Sequence, residues 1–154
     1  MRRTDREIID QNQIEAFIKH EQVLRIAFYD EGDIYIVPVN YGYLRADDKY
    51  SFYFHGAKAG RKYELAKKGP LVGFEIDGNY KLLENETACG FSAAFQSVIG
   101  TGKLYLVEDA EKRKGLDAIM RQATQQSKWD YSEEMMKEVA VFRLDIEKIS
   151  CKRK

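Results

Sequence analysis

The residues best suited to chemistry lie together between His55 and Lys62. A predicted aromatic strand at 50–54 ends just before them, and Gly60-Arg61-Lys62 opens a predicted helix. Free N–H groups and a partial positive charge at a helix N-terminus stabilise an anion, and Arg61 and Lys62 would add full charges. The stretch therefore predicts a phosphate site, although the same residues also suit a plain turn with a solvated basic face.

His55 is the candidate catalytic residue of this stretch. An imidazole titrates near neutral pH, so it can donate or accept a proton. A single histidine at a strand end can equally be a structural hydrogen-bonding group. No serine, cysteine or aspartate stands at a spacing typical of a catalytic triad, so both interpretations stay open at this level.

The common nucleotide-binding motifs are not present. Gly56 and Gly60 do not have the spacing of the Gly-x4-Gly-Lys-Ser/Thr loop, and Gly100-Thr101-Gly102 lacks the third glycine of Gly-x-Gly-x-x-Gly. A phosphate on a smaller cofactor is still compatible with the chain.

Two further stretches offer partners for a planar ring. In residues 37–43, Pro38 interrupts the strand ladder and leaves backbone groups that need another partner, and Asn40 adds an amide. In residues 96–102, Ser97 is a small donor beside glycines that permit a close approach. The structural alternatives are a bulge packed by tyrosines in the first stretch and barrel corners in the second.

Composition excludes several classes of protein. The chain has 154 residues with 25 basic and 25 acidic side chains, so a global attraction to nucleic acid is not expected. The two cysteines and two histidines are widely separated and include no Cys-x-x-Cys pair, so a structural zinc site is not expected, and no metal is expected. The charged start does not resemble a signal peptide, and no apolar run has the ~18 residues of a membrane span. We expect one domain over residues 1–154, located in the cytoplasm.

The elements that must position these residues are mostly strands. Strands are predicted at 23–29, 34–43, 50–54, 71–76, 96–107 and 139–146, with turns at 30–33 and 77–79 and a solvated basic tail at 148–154. Alternation in the last strand places Phe142 on its apolar face. The first three strands should form an antiparallel meander. Short helices should follow Asp10 (a capping box with Gln13), Gly60, Asp109 and Asp130.

This element order predicts a mainly β fold with small helices. A six- to seven-stranded antiparallel barrel, closed or split, fits best because closure removes most exposed strand edges. An open α+β sheet is the alternative.

Taken together, these stretches resemble the pyridoxamine 5'-phosphate oxidase-like, FMN-binding split-barrel proteins, and among them the nitroimidazole-resistance branch. The resemblance covers nearly the whole chain. The segments that match lie at 1–8, 37–43, 52–57, 60–62, 97–102 and 111–120.

The resemblance implies a homodimer that binds two FMN molecules in the grooves between subunits and acts on a small-molecule substrate. The flavin would supply the redox chemistry, taking electrons from a nicotinamide and passing them to an organic acceptor such as a nitro group. By position, Arg61 and Lys62 would hold the phosphate. The remaining implied contacts are the ring and ribityl lining (Tyr53, Phe54, His55, Gly56), the ring edge (Val39, Asn40, Tyr41) and the strand opposite, of the same or the partner subunit (Ser97, Val98).

The chain departs from the oxidase proper at two of these positions. The oxidase has asparagine where His55 stands and serine where Gly60 stands, and its additional groups for pyridoxal phosphate have no match here. Oxidation of pyridoxamine phosphate is therefore not expected. In the resistance branch a histidine at the position of His55 is usual, which implies a catalytic role. A flavin-binding module without turnover, or a haem-binding relative with His55 or His20 as the iron ligand, are the alternatives.

Overall fold

Antiparallel pairing organises most of this protein. In the computed structural model, which describes residues 3–47 and 49–154, the helices are α1 Gln11–His20, α2 Arg61–Ala66, α3 Asp109–Thr124 and α4 Glu133–Glu138. The strands are β1 Glu7–Ile8, β2 Val23–Asp30, β3 Asp33–Asn40, β4 Gly42–Ala46, β5 Lys49–Ala57, β6 Leu71–Leu83, β7 Ser92–Val107 and β8 Val139–Arg153. Met1 and Arg2, which begin the resemblance, and Asp48 lie outside the described residues.

The sheet order is β3-β2-β6-β7-β8-β5-β4, and the short β1 pairs with β8. All described pairings are antiparallel. Because β3 and β4 are both edges and do not pair, the sheet curls without closing. The predicted split barrel is confirmed, with seven strands on its main path.

The core lies inside this curled sheet, and a smaller second cluster lies outside it. Inside are the apolar side chains of β2, β5, β6, β7 and β8 together with one face of α1. The second cluster is formed where α3 packs on the outer face of β5 and β8, around Tyr53, Leu116, Ile119 and Val141. One face of β5 therefore packs in the core of the curled sheet, and the other packs against α3.

The predicted meander was wrong, because β2 pairs with β3 but β3 does not pair with the next strand. The run at 34–43 is two strands that break at Tyr41. The ring of Tyr41 is buried and its hydroxyl donates to the Ile18 carbonyl at 2.6 Å. Gly42 then lies directly against α3, since a Cβ there would be 2.1 Å from the backbone of Ala118. The chain thus crosses from one sheet edge to the other.

Two strands run further than predicted. The expected turn at 77–79 is a bulge between Gly78 and Lys81, with Asn79 at a positive φ, so β6 continues to Leu83. The expected tail is the second half of β8, where Cys151 is 1 % exposed. Where Thr101 and Gly102 of β7 pair with Lys148 and Ile146, β8 carries one extra residue, Glu147, and this bulge interrupts the alternation that sequence inspection follows.

The helix starts were predicted with mixed success. Asp10 is the N-cap of α1 and accepts from the Asn12 N–H at 2.9 Å. The side chain of Gln13 contacts the Asp10 carboxylate instead of the backbone, so there is no capping box. The N-caps of α3 and α4 are Glu108 and Ser132, whereas Asp109 and Asp130 were predicted.

Candidate functional site at the barrel end

Lys62 lies at the end of the barrel against two aromatic rings. Its Nζ is 5.5 Å from the ring centre of Phe54 and 5.3 Å from that of Phe142. These two rings stack on each other at 4.8 Å, with 6° between their planes. A cation over aromatic faces is stabilised by the ring quadrupole, so the two rings fix the position of the ammonium.

The charge of Lys62 has no counter-ion in the described part of the chain. The side chain is half-buried, and desolvation lowers its pKa. Gly56 leaves room for it, because a Cβ at this position would lie 2.9 Å from Nζ. A partly desolvated cation without an anion is an energetically incomplete arrangement, and an anionic ligand would complete it.

Arg61 points to a different part of the molecule. Its Nε donates to Asp30 at 2.9 Å and a terminal nitrogen donates to Asp33 at 2.8 Å. Its guanidinium also lies 4.8 Å from the ring centre of Tyr35. The two cations that sequence analysis placed on one phosphate are thus turned to separate neighbours, and Arg61 is already paired.

His55 is exposed at the outer side of β5, beside Gly56. Burial of part of the ring lowers its pKa, and the positive charge of Lys62 lowers it further. Since the ordinary histidine pKa is ~6.5, the imidazole is mostly neutral at pH 7. One ring nitrogen can then donate and the other accept a hydrogen bond.

The aromatic residues of β5 are buried on both faces of the strand. Phe54 is inside the barrel and Tyr53 lies under α3, where its hydroxyl donates to Glu111 at 3.3 Å. Burial, followed by the negative charge of Glu111, raises the pKa of Tyr53 to about 12. Arg143 pairs with Glu111 in the same cluster. Of this predicted lining, His55 and Gly56 are the residues that reach the barrel end.

The ring-edge candidates lie at the far end of β3. Val39 is half-buried against the core, and Asn40 is exposed but donates its amide to the Gln22 carbonyl at 3.1 Å. Tyr41 is buried, and desolvation raises its pKa. Asp33, which binds Arg61, begins β3 and Asn40 ends it. The seven residue steps between them span about 23 Å.

Ser97 and Val98 are also distant from Lys62 within one chain. Val98 is fully buried, whereas Ser97 is half-exposed and pairs with Lys152 on β8. His55 pairs with Val141 on the same strand. The eleven residues from 141 to 152 correspond to roughly 36 Å along β8.

The predicted site residues therefore form two groups. The first, which we call the barrel-end group, contains Phe54, His55, Gly56 and Lys62, with Arg61 beside it. Val39 and Asn40 also lie on this side, because Gly42, two residues after Asn40, pairs with Tyr53 on β5. The second, the far-end group, contains Ser97 and Val98.

The family model that matches, over residues 10–153, is described as pyridoxamine 5'-phosphate oxidase. The chain belongs to the pyridoxamine 5'-phosphate oxidase family. The family expected from the sequence motifs is thus confirmed. Among curated proteins, none matches the chain.

Solved structures share the fold of this family member over nearly its whole length. A candidate 5-nitroimidazole antibiotic resistance protein from Bacteroides thetaiotaomicron is 29 % identical, with a TM-score of 0.81 over 96 % of this chain and 86 % of that one. The flavocytochrome Anf3 from Azotobacter vinelandii is 20 % identical, with a TM-score of 0.80 over 100 % and 72 % of the two chains. The FAD and heme binding protein from Mycobacterium smegmatis is 14 % identical, with a TM-score of 0.84 over 97 % and 73 %. The last two show the fold alone.

Three residues around the barrel end of this oxidase-family chain were missed by sequence analysis. Asp30 and Asp33 were assigned only to a turn, and nothing local links them to Arg61, which follows 28–31 residues later. Phe142 was assigned to the core face of its strand by alternation, and that signal could have placed it beside Phe54 had the β5–β8 pairing been known.

Neither a metal centre nor a spanning helix emerges from the described residues. Within 3–47 and 49–154, no three or more histidine, cysteine or acidic side chains are grouped as metal ligands. No helix in these ranges has the length and apolar character needed to cross a bilayer.

Proposed function

We propose that this protein is an FMN-dependent oxidoreductase that reduces small organic acceptors, nitroaromatic compounds among them, with electrons from a nicotinamide. The observation that carries the proposal is Lys62, a half-buried cation without a counter-ion, held at the position where the family resemblance implies the FMN phosphate. Charge-assisted bonds to phosphate are among the strongest polar contacts available to a protein.

The residues around Lys62 fit a phosphate group. Gly56 keeps the approach to Nζ open, and the stacked rings of Phe54 and Phe142 form an apolar wall beneath the ammonium. A wall of this kind lowers the local dielectric and strengthens the attraction to an anion. The phosphate would replace the missing counter-ion, so binding would also restore the charge balance of the site.

The two separated groups of predicted residues support a homodimeric site. Within one chain the barrel-end and far-end groups lie tens of ångströms apart along the strands, too far to share one flavin. In a dimer with two-fold symmetry, the barrel-end group of one subunit would face the far-end group of its partner, and this arrangement would occur twice. Two FMN molecules would then lie between the subunits.

The outer surface of the sheet offers apolar area for such an interface. Large apolar side chains that are 50–71 % exposed lie on β2, β3, β6 and β7. The strand pairings place them on one face, which we call the outer apolar face: Tyr29, Ile34, Ile36, Leu71 and Ile99. Contiguous exposed apolar surface is typical of protein interfaces.

FMN would bring hydride and electron transfer, and the protein would supply binding and proton handling. The neutral imidazole of His55, next to the proposed phosphate site at Lys62, can donate or accept a proton at pH 7. The resemblance implies a catalytic role at this position. The solved relative from Bacteroides, described as a candidate nitroimidazole resistance protein, supports nitro compounds as the acceptor class.

The experiment that tests this function is anaerobic turnover. The FMN-loaded protein is mixed with NADH or NADPH under nitrogen, and the visible flavin absorption is followed before and after a 5-nitroimidazole is added. We expect loss of the flavin absorption with the nicotinamide and its return with the nitro compound, repeated over many cycles. Flavin that binds but is not reduced by either nicotinamide would instead indicate a flavin-storing module.

Haem binding is the second candidate. Two proteins with this fold are described as a flavocytochrome and as an FAD and heme binding protein. His55 is exposed, and its lowered pKa leaves a neutral ring nitrogen that can bind iron. Addition of hemin would then give a Soret band that shifts in His55→Ala. A Soret band that is unchanged in both His55→Ala and His20→Ala would exclude these two histidines as iron ligands.

A further inference from the structure

We propose that a cleft between α1, β4 and α3 binds a small organic dianion that also carries a hydroxyl group. We call it the α1–α3 cleft, and its volume is about 300 Å³. No residue of this cleft belongs to the barrel-end or far-end group, so its ligand is separate from the flavin. The polar lining residues that define the ligand are Glu15, Lys19, Tyr43, Arg45, Arg121 and Gln122.

One buried glutamine brings the two helices of the cleft together. Gln122 on α3 is 8 % exposed, and its Nε2 donates to three carbonyls at the end of α1. These three acceptors fix the orientation of the amide, because an amide oxygen cannot donate to them. The amide oxygen Oε1 accepts no hydrogen bond from any described residue. A buried acceptor of this kind needs a donor, and a ligand hydroxyl would provide one.

Positive charge exceeds negative charge among the side chains that line the cleft. Glu15 accepts hydrogen bonds from Arg45 at 2.7 Å and from Tyr43 at 3.0 Å. The bond from Arg45 lowers the pKa of Glu15, so this carboxylate stays ionised and its charge is balanced by Arg45.

The cations Lys19 and Arg121 are the uncompensated part of this lining. Neither forms an ion pair with a described residue, and Lys19 acts on Glu15 only at longer range, one helical turn away. The cleft therefore has two positive charges in excess, which match a ligand with two negative charges.

Cations in the last turn of a helix usually complement the partial negative charge of the terminal carbonyls. Lys19 and Arg121 hold such positions in α1 and α3. In this protein the carbonyls are already hydrogen-bonded. Gln122 covers the end of α1, and at the end of α3 the Arg121 carbonyl accepts from the Gln125 N–H at 2.8 Å. An anion in the cleft therefore does not face unpaired carbonyls at either helix end.

Charge, size and the required donor together define the ligand class. The planar fork of Arg121 can bind a carboxylate or a phosphate through two parallel hydrogen bonds. The volume of the cleft lies at the lower end of the range for small-molecule sites, roughly 300–1,000 Å³. Hydroxydicarboxylates and hydroxylated phosphate monoesters share this chemistry and this size.

Calorimetric titration with two pairs of ligands tests the proposal and separates the two sources of charge. The pairs are L-malate with succinate and glycerol 3-phosphate with propyl phosphate, each added at constant ionic strength. We expect saturable binding of one molecule per chain by at least one pair. The pair that binds more tightly identifies the carboxylate or the phosphate as the natural group. Within that pair, the hydroxylated ligand should bind about threefold to tenfold more tightly, because it donates to Oε1 of Gln122.

Three variants test whether the cleft is the binding site. Lys19→Gln and Arg121→Gln should each weaken the tighter ligand by about tenfold or more, because each removes a charge-assisted hydrogen bond. Both side chains are exposed, so the fold should be kept. The matched control is Lys114→Gln, which removes an exposed cation from α3 outside the cleft and should leave the affinity unchanged.

Three results would overturn the inference. They are no binding of any of the four anions, equal affinities within the pair that binds, or equal weakening in Lys114→Gln and Arg121→Gln. A wild-type protein that binds FMN but none of these anions would overturn this inference alone and leave the proposed function standing.

Discussion

Lys62 is the residue on which the proposed phosphate site depends. Its ammonium lies against two aromatic rings, and burial lowers its pKa. A lysine in this state loses its charge at a lower pH than the ordinary value of ~10.4. The proposed phosphate site should therefore lose the positive charge of Lys62 at a lower pH than a site built on an exposed lysine would.

We accordingly expect FMN affinity to fall as the pH rises through the lowered pKa of Lys62. Riboflavin affinity should not show this fall, because riboflavin has no phosphate for Nζ to hold. Fluorescence titrations of both flavins across alkaline pH would measure the difference. In the control Lys62→Arg the guanidinium stays charged, so the fall should disappear. A parallel fall for FMN and riboflavin would contradict the assignment.

His55 gives a second pH effect, on stability. The folded-state pKa of His55 lies below the unfolded value of ~6.5. At pH values between these two pKa values, the unfolded chain therefore binds more protons than the folded one. Folding stability from this residue is therefore complete above about pH 6.5 and declines as the pH falls through the folded-state pKa. Urea unfolding at several pH values should show this decline in the wild type and a smaller one in His55→Gln. Equal pH dependence in the two proteins would argue against the shift.

Among the elements, α1 and α3 are joined by one buried amide. Gln122 on α3 donates to the carbonyls of Ile18, Lys19 and Glu21, at 2.9, 3.1 and 2.8 Å. These carbonyls belong to the end of α1, where a helix lacks internal partners. Sequence inspection did not find this contact, because it joins residues about a hundred positions apart.

Replacement of Gln122 by leucine should lower the free energy of unfolding by about 1–3 kcal/mol, since buried carbonyls would lose their donor. The matched control is Gln126→Leu, because Gln126 is exposed after the end of α3. Urea denaturation of both variants would measure the effect. Similar stabilities for the two variants would contradict a capping role for Gln122.

The contact of α3 with β4 is so close that only glycine fits at position 42. A Cβ there would be 2.1 Å from the backbone of Ala118. We expect Gly42→Ala to cost about 1–3 kcal/mol or more, because the helix must move away from the strand. In the control Gly73→Ala, the new Cβ meets Ala27 at an ordinary 3.7 Å. If thermal unfolding shows Gly42→Ala to be as stable as Gly73→Ala, this packing is wrong.

Local signals in the sequence predicted many of these elements, and long-range pairing explains the failures. The turn 30–33 was predicted correctly from its glycine and aspartates, and Gly32 adopts the positive φ that glycine favours. The second half of β8 was missed, since an extra residue in this strand, Glu147, shifts which of the following residues face the core. Strict alternation does not continue across such a bulge.

The same limit applies to the candidate site. The sequence identified Lys62 and its surroundings, since a basic pair after a strand and two glycines is a local pattern. It could not reveal that Arg61 is paired with Asp30 and Asp33, or that Ser97 lies far from His55 along β8. Both facts follow only from the order of strands in the sheet.

For the whole molecule, the proposed dimer predicts complementation between two defective chains. Lys62→Ala damages the barrel-end group, and Ser97→Tyr obstructs the far-end group. If each flavin site takes one group from each subunit, a heterodimer of these variants contains one intact site. After the two proteins are unfolded together and refolded in equal amounts, about one quarter of all sites should bind FMN normally. No recovery over the separate variants would contradict a shared site.

The outer apolar face provides the corresponding test of assembly. Ile36→Asp places a charge in the middle of this face, and burial of an unpaired charge in an interface is costly. We expect sedimentation equilibrium to show a dimer for the wild type and a monomer with weakened FMN binding for this variant. The control Tyr80→Asp changes an exposed side chain of β6 beyond the face. Dimers of equal strength in all three proteins would contradict this interface.

The measurement that tests the account most directly is a titration of the flavin-free protein with FMN, followed by visible absorption and flavin fluorescence. The account predicts saturable binding of one FMN per chain, tighter than riboflavin in the wild type and equal to riboflavin in Lys62→Ala. A protein whose spectrum and fluorescence do not change with added FMN, or one that binds FMN equally well without Lys62, would contradict it.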